Sequence, residues 1–298
     1  MNPFVLAVPQ VQSFVYKHRL LEKYPEKEPL LEFLYKLLSL GDSKAFSRPN
    51  AFILKNAEER KKSIQEKNYK YIFFDDLQYP KELLKIYDPP LVLFYSGNLN
   101  ILQNEFTAIV GTRKPSPFAP KLMRHLYEFL EKQSWDSGVV SGLALGIDAM
   151  AMSKALEKNI PLIGVLGTEI SKQYPRQNQF LYRKMGEKDN CLLLTELLPM
   201  DAIGKWTFPK RNRIISGIAK RVILVETPSR SGALSCADSA ISQHRDVYVI
   251  DDERLTQNAG GRKLIEDGAE TLFLETSPVI PFDLNYFQKM GKDWQEFL

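Results

Sequence analysis

Residues 106–141 of this chain have the sequence FTAIVGTRKPSPFAPKLMRHLYEFLEKQSWDSGVVS. An apolar run at 106–110 is typical of a buried strand, and a second such run follows at 139–141. Between them, residues 118–132 repeat apolar side chains every three or four positions, which predicts an amphipathic helix. Its inward side would carry Phe118, Leu122, Leu126, Phe129 and Leu130. A strand, a helix and a second strand of these lengths form a right-handed parallel crossover, so the stretch predicts an α/β fold.

The same alternation extends in both directions from this unit. Short strands are expected upstream at 71–74 and 91–95. Downstream, the pattern predicts helices at 147–157, 178–185, 211–219, 233–243 and 263–267, and strands at 162–166, 192–195, 222–225, 247–250 and 271–274. Strands joined by helical crossovers form a parallel sheet that helices cover on both faces. The chain is therefore predicted to be doubly wound.

The first 68 residues differ from this alternation. Helical spacing at 11–22, 30–40 and 51–66, with prolines between the segments, predicts a small N-terminal helical domain. It carries 12 Lys and Arg against 8 Asp and Glu. We predict domain boundaries at 1–68 for these helices, 69–275 for the α/β domain, and 276–298 for a C-terminal tail that holds no winged-helix domain.

Composition narrows the function classes. The 298 residues are 44% hydrophobic and 26% charged, as in an ordinary globular protein. No run is long and apolar enough for a membrane span, and no secretory signal is recognisable, so a cytoplasmic location is expected. Cys191 and Cys236 lack metal-ligand spacing and are expected to be buried and reduced. The sequence contains neither GxGxxG nor GxxxxGK[ST], so no cofactor is expected.

The stretch FPKRNRIISG, residues 208–217, concentrates positive charge. Between Asp201 and Glu226 the chain has six Lys and Arg and no acidic residue, although its total charge is only +4. Pro209 is typical of a first helical turn, which would place the basic run where backbone N–H groups are free and the helix dipole is positive. The stretch is thus either a polyanion site or, less specifically, a solvated helix face.

Glycine accompanies a hydroxyl or an arginine after several predicted strands. The turns are Gly111-Thr112-Arg113, Ser141-Gly142, Gly167-Thr168 and Ser231-Gly232. Glycine allows close approach of the backbone, hydroxyls donate hydrogen bonds, and Arg113 adds a bidentate fork for phosphate. In open parallel sheets, ligands bind beyond the carboxyl ends of the strands. These turns together therefore predict an edge of the sheet that binds oxyanions. At any single turn, the alternative is that glycine is present only because the packing requires it.

Together these motifs resemble the DNA-processing protein A family (DprA, also called Smf). The resemblance covers residues 69–275 and rests on GTR at 111–113 with Ser116, SGLALGID at 141–148, Tyr174-Pro175 with Asn178, FPKRNRIISG at 208–217, SGAL at 231–234 and LIEDGA at 264–269. It implies an extended Rossmann-like core that binds single-stranded DNA without known hydrolysis. It also implies a homodimer that loads the RecA recombinase onto incoming strands during natural transformation.

The resemblance also assigns roles to residues. Those that would hold the strand are Arg113, Arg176, Lys210, Arg211 and Arg213. Those that would line the pocket are Gly111, Thr112, Ser141, Gly142, Asn178, Asn212, Ser231 and Gly232. Tyr174 and Phe208 could stack on unpaired bases, an interaction that tolerates any base sequence. The alternative is that these two rings belong to the core or to a lid and do not contact bases.

Three local departures concern pocket detail. Asp251-Asp252 replaces a common Pro-Gly, Gly260-Gly261-Arg262 replaces Gly-Thr-Asn, and Leu145 stands where a basic residue is frequent. The chief rival function is a Rossmann-like nucleotide hydrolase acting on nucleoside monophosphates, with Glu196 or Glu226 beside Arg113. Against it, residues 229–234, SRSGAL, do not match the glycine-rich turn of those enzymes. A pure scaffold for a recombinase is a third possibility.

Overall fold

A computed structural model describes residues 1–40 and 45–274. The predicted C-terminal tail lies outside the described residues. Within them the chain forms nine strands: β1 Lys70–Phe73, β2 Val92–Gly97, β3 Thr107–Gly111, β4 Val139–Ser141, β5 Leu162–Val165, β6 Cys191–Thr195, β7 Arg221–Val225, β8 Asp246–Ile250 and β9 Glu270–Leu272.

The same residues form eleven α-helices: α1 Pro9–Lys17, α2 Leu20–Lys23, α3 Lys27–Ser39, α4 Asn50–Glu66, α5 Lys81–Leu84, α6 Ala119–Lys132, α7 Ile147–Glu157, α8 Gln179–Gly186, α9 Thr207–Ile218, α10 Leu234–Ser242 and α11 Ala259–Glu266. Short 3₁₀ segments lie at Pro3–Ala7, Leu99–Gln103 and Arg176–Asn178.

All nine strands join one sheet, in the order β1-β2-β6-β5-β4-β3-β7-β8-β9. Every pair from β6 to β9 along this order is parallel. β2 pairs antiparallel with both β1 and β6, so the first two strands extend one edge of the parallel sheet. The predicted doubly wound, mostly parallel α/β fold is confirmed, with an antiparallel extension of a kind common on large sheets.

The chain reverses direction across the sheet at β3. From β3 it moves one way through β4, β5 and β6, then returns to β7 on the other side of β3 and continues to β8 and β9. Such a switch point leaves a crevice at the carboxyl ends of the two central strands. Residues 111–113 and 226–227 border that crevice.

Apolar side chains fill both faces of the sheet, as expected for a covered parallel sheet. Along β3, Ala108 and Val110 belong to one core and Ile109 to the other. The second core is built by α6, α7 and α8; in α6 the residues Leu122, Leu126 and Leu130 are fully buried, as their spacing predicts. The first core is built by α9 and α10. This face therefore fixes the basic helix α9 against the sheet.

The N-terminal helices pack into the first core as well. Val11 and Leu34 are fully buried in the same cluster as Phe94 of β2 and Ile214 of α9. Polar contacts reinforce this packing, since the Tyr16 hydroxyl donates to the carbonyl of Pro89 at 2.8 Å. The boundary at residue 68 stays a prediction. Among the described residues, no helix combines the length and apolarity needed to cross a membrane.

Candidate functional site

Helix α9 lies over the carboxyl ends of the parallel strands and contacts the turns that follow them. The Arg211 guanidinium donates to the carbonyls of Gly142 and Val165, beyond β4 and at the end of β5. Asn212 Nδ2 donates to the carbonyl of Gly232 at 3.1 Å, beyond β7. The structure therefore brings the predicted basic stretch and the predicted glycine turns to one edge of the sheet.

The basic run lies deeper in α9 than its sequence predicts. The helix begins at Thr207, four residues before the predicted start, so Pro209 does fall in the first turn. The backbone N–H of Lys210, however, already donates to the carbonyl of Trp206 at 3.2 Å. The expectation that the Lys-Arg-Asn-Arg run carries free N–H groups is wrong for that reason.

Arg211 is buried and forms its hydrogen bonds within the molecule. It is only 6% exposed, and a Cβ on Gly142 would lie 2.6 Å from its guanidinium. Burial lowers the pKa of Arg211, which the neighbouring Asp148 carboxylate partly opposes. Asp148 in turn accepts from the backbone N–H of Gly142 at 3.1 Å, and burial raises its pKa. A side chain at 142 would therefore have to displace the buried guanidinium.

Arg213 is buried too, and it is neutralised from within the molecule. Its guanidinium lies 2.6 Å from the Glu196 carboxylate and 3.2 Å from that of Asp88. Burial by itself would lower the pKa of Arg213, but Glu196 and then Asp88 outweigh it, so the pKa is raised. Contact of Arg211 or Arg213 with a DNA strand stays a prediction, and their internal partners favour a structural role.

A different set of cations is exposed at this edge. They lie in the loops after β3, β5, β6 and β7 and on the first turns of α9: Arg113, Lys114, Lys172, Arg176, Lys205, Lys210 and Arg230. The carboxylates of the loops after β3 to β7, within the described chain, are Glu169, Glu196, Asp201 and Glu226, and none is exposed. The loop after β8, at the same edge, carries the exposed Glu253, so the strong positive potential belongs to the loops after β3 to β7.

Three aromatic side chains lie among these cations. Tyr174 and Phe208 have ring centroids 5.5 Å apart, and the Arg113 guanidinium lies 5.9 Å from the Phe208 ring. Trp206, at the start of α9, is 64% exposed, and Tyr174 is 47% exposed. Sequence reasoning missed Trp206, although its position directly before the FPKRNR run was a usable signal. Exposed rings between cations can stack on flat, uncharged groups.

The polar residues predicted to line the pocket use their side chains internally. Ser141 is fully buried and its hydroxyl donates to the Ile109 carbonyl at 2.7 Å. Asn178 Nδ2 donates to the carbonyls of Leu143 and Ala144, and Thr112 Oγ1 accepts from the Lys114 N–H. Ser231 Oγ accepts from the N–H of Ala233 at 3.2 Å. These hydrogen bonds shape the loops, and the hydroxyls of Thr112 and Ser231, which only accept in them, keep an O–H to donate.

Glu226 lies at the switch-point crevice. It is fully buried with a φ of +48°, a left-handed conformation that is uncommon for a residue other than glycine. Its Oε2 accepts from the backbone N–H of Ser116 at 2.8 Å, while no described residue donates to its Oε1. Glu226 therefore ties the loop after β3 to the end of β7.

The structure offers few groups for metal or thiol chemistry. Among the described residues, no group of three or more His, Cys, Asp or Glu is arranged to hold a metal ion. Cys191 and Cys236 are buried free thiols, as their apolar surroundings predict. Burial raises the pKa of Cys191 to about 11 and that of Cys236 to about 12, so neither is a reactive thiolate near neutral pH.

Known proteins resemble this chain over its α/β part. The model of a family described as DNA recombination-mediator protein A matches residues 70–280. The DNA processing protein DprA of Bacillus subtilis (strain 168) is 38% identical over 198 residues, which are 66% of this chain and 65% of that protein. Protein Smf of Synechocystis sp. is 37% identical over 216 residues, 71% of this chain and 53% of that protein. The matched residues thus span between about half and two thirds of the length of these two relatives.

Solved structures agree with the sequence matches. The X-ray structure of DNA processing protein A from Streptococcus pneumoniae superposes with a TM-score of 0.68 at 33% identity, covering 76% of this chain and 80% of that one. A structure of DNA processing protein A from Helicobacter pylori, described for its single-stranded DNA binding mode, superposes with a TM-score of 0.59 at 26% identity, covering 76% and 97%. The chain belongs to the DNA recombination-mediator protein A family, as its motifs predict.

Proposed function

We propose that this chain binds single-stranded DNA, with little preference for base sequence, along the carboxyl edge of its parallel sheet. The observation that carries this proposal is the set of seven exposed cations there, without an exposed carboxylate in the loops after β3 to β7 of the described chain. A polyanion that neutralises such cations releases its counterions, which drives binding. Tyr174, Trp206 and Phe208 supply the stacking surfaces that unpaired bases require.

A single strand fits this edge better than a duplex. Reading a duplex requires a helix or ribbon that can enter a groove. Helix α9 cannot do so, because nine of its 12 residues are buried against the sheet and the loops. Its exposed residues, Pro209 and Lys210 with the partly exposed Phe208, form a low surface rather than a projecting helix. Such a surface suits a flexible sugar-phosphate chain with its bases turned outward.

The relatives support the same substrate and extend the role. The Helicobacter pylori protein is described by its single-stranded DNA binding mode, and we transfer that ligand to residues 69–275 of this chain. We further infer from family membership a cytoplasmic homodimer that protects incoming DNA and delivers it to RecA during natural transformation and recombination. The helices of residues 1–68 would form an accessory domain in that assembly.

Titration of labelled single-stranded and duplex oligonucleotides tests the proposal. The logarithm of single-strand affinity should fall linearly with the logarithm of salt concentration, with a slope of about −0.7 per phosphate neutralised. Arg113→Ala and Arg176→Ala should each weaken binding to all base sequences alike and make the slope less steep by about 0.7. Lys132→Ala, which removes an exposed cation from the opposite end of the sheet, is the matched control and should change neither quantity. A flat salt response would refute the proposal.

A nucleotide hydrolase remains the alternative to test, and the geometry gives it less support. Glu196 is engaged by Arg213 at 2.6 Å and by Lys210 at 3.3 Å, so it is not free to act on a sugar. Glu226 keeps one oxygen without a partner among the described residues, but it is fully buried. We therefore propose a non-enzymatic protein. Incubation with nucleoside monophosphates should release no free base, and steady release abolished by Glu226→Gln would favour the hydrolase.

A further inference from the structure

A cavity of about 300 Å³ lies between the N-terminal segment and the loop that leads into α9. Ala7 and Pro9 line it from the N-terminal side, and Leu197, Ala202 and Trp206 line it from the loop. Its volume is at the lower end of the ~300–1,000 Å³ of small-molecule sites. Because its lining includes the exposed Trp206, and Lys210 with 43% of its side chain exposed, the cavity adjoins the proposed path of the strand.

Three of the four charged side chains in the cavity wall form ion pairs, and the fourth, Arg211, donates to backbone carbonyls. The Glu196 carboxylate faces Arg213 and Lys210, at 2.6 and 3.3 Å. The Asp201 carboxylate receives two hydrogen bonds from the Arg60 guanidinium of α4, at 3.1 and 2.5 Å. A wall of this kind offers neither a free cation cluster for a phosphate nor a free carboxylate for a cation. It favours an uncharged occupant.

The cavity also presents a hydrogen-bonding group. Gln12 of α1 is 5% exposed and lines the cavity, and its Nε2 donates to the Leu6 carbonyl at 3.1 Å. Its Oε1 receives no hydrogen bond from any residue in the described part of the chain. Because Gln12 lines the cavity, this oxygen is placed to accept a hydrogen bond from a ligand N–H there.

We propose that this cavity receives one unstacked nucleobase of the bound strand. A nucleobase is flat, uncharged and edged with N–H donors, so it matches the apolar wall, the Trp206 ring and the Gln12 acceptor together. The backbone outside would stay on the exposed cations. This inference rests on the proposed single-strand binding, and it adds a contact that the N-terminal segment contributes.

The test compares two oligonucleotides of equal length, one of thymidines and one in which all the central residues are abasic. With equal phosphates, the charged surface should bind both equally, whereas the exposed rings and the base pocket should favour only the first, so the cavity variants must separate the pocket from the rings. Engaging one base on an aromatic ring increases affinity by about 5- to 150-fold. Ala202→Phe should fill the cavity and reduce this preference for bases. Ala51→Phe, the same change at an exposed position on α4, should leave it intact.

Trp206→Ala, at an exposed position, should reduce the preference as well, and Ala202→Leu replaces Ala202→Phe if that variant does not fold. Equal affinity of the unaltered protein for both oligonucleotides would overturn the pocket and the stacking on exposed rings, while leaving strand binding by the cations in place. A preference unchanged in the folded filled variant would overturn it too, whatever Trp206→Ala does, because Trp206 also stacks at the surface. No binding of either oligonucleotide would instead contradict the proposed function.

Discussion

Replacing Arg213 with alanine should damage the fold rather than the DNA surface. The Arg213 side chain is 8% exposed, and its guanidinium faces Glu196 at 2.6 Å and Asp88 at 3.2 Å. Arg213→Ala leaves a buried Glu196 carboxylate with only Lys210 at 3.3 Å as a charged partner. Removing one member of a buried ion pair costs about 3–5 kcal/mol because the remaining charge stays desolvated.

That cost is a large part of the total stability, which for a folded domain is about 5–15 kcal/mol. In chains of this size class, each kcal/mol lowers Tm by about 2–4 °C. The variant should therefore melt about 6–20 °C below the unaltered protein. Arg213→Met, which keeps the volume without the charge, should be similarly destabilised, since it leaves Glu196 in the same position.

Thermal unfolding and single-strand titration, run on the same preparations, separate the two roles. Arg113 is the matched control, because it is exposed and its guanidinium faces the Phe208 ring rather than a carboxylate. Arg113→Ala should keep its Tm and lose affinity, whereas Arg213→Ala should lose Tm and, at a temperature where it is folded, keep most of its affinity. An unchanged Tm with lost affinity for Arg213→Ala would refute the structural assignment and restore this arginine as a strand contact.

Three further predictions concern the frame around the site. Arg60→Ala should cost about 3–5 kcal/mol in urea unfolding, because Asp201 is 10% exposed and loses its bidentate partner; a cost below about 1 kcal/mol would show that the pair does not tie α4 to the loop. Gly142→Ala should lower the free energy of unfolding by about 1–3 kcal/mol, since its Cβ would lie 2.6 Å from the Arg211 guanidinium. Gly186→Ala, which has open space at its Cβ, should change that free energy little. Equal stability of the two variants would contradict the packing around residue 142. Burial raises the pKa of Cys191 to about 11 and that of Cys236 to about 12, so the stability these thiols contribute is present below the ordinary thiol pKa of about 8.5 and is lost as pH rises toward those values. At pH 7.5 a thiol reagent should label neither cysteine in the folded protein and both in urea. Rapid labelling without urea would contradict their burial.

The sequence was sufficient to predict the fold because its signals are local. Each parallel strand is a short apolar run, and the helix of residues 119–132 shows its buried face in the spacing of Leu122, Leu126 and Leu130. The direction of the first two strands was not predictable in this way. Strand propensity is the same for either direction, and pairing of β2 with β6 joins residues about a hundred positions apart.

The location of the site was predictable from the sequence, but which of its arginines are buried and which are exposed was not. Topology places the turns of all parallel strands at one edge, so the glycine turns and the basic stretch had to meet. Whether an arginine is available to a ligand depends on residues distant in sequence. Glu196 and Asp88 form ion pairs with Arg213, and the carbonyls of Gly142 and Val165 accept hydrogen bonds from Arg211. Charge counted along the sequence cannot distinguish a buried arginine from an exposed one.

Hydrogen exchange with and without a saturating thymidine oligonucleotide tests most directly whether the carboxyl edge of the sheet holds the strand. We expect slower exchange in the loops at 112–118, 166–178, 199–206 and 229–233 and in the first turn of α9, which carry the exposed cations and aromatic rings. The loops at the opposite end of the sheet, 133–138, 158–161 and 187–190, should exchange at the same rate in both states. Protection confined to that opposite end, with none at the carboxyl edge, would contradict the account.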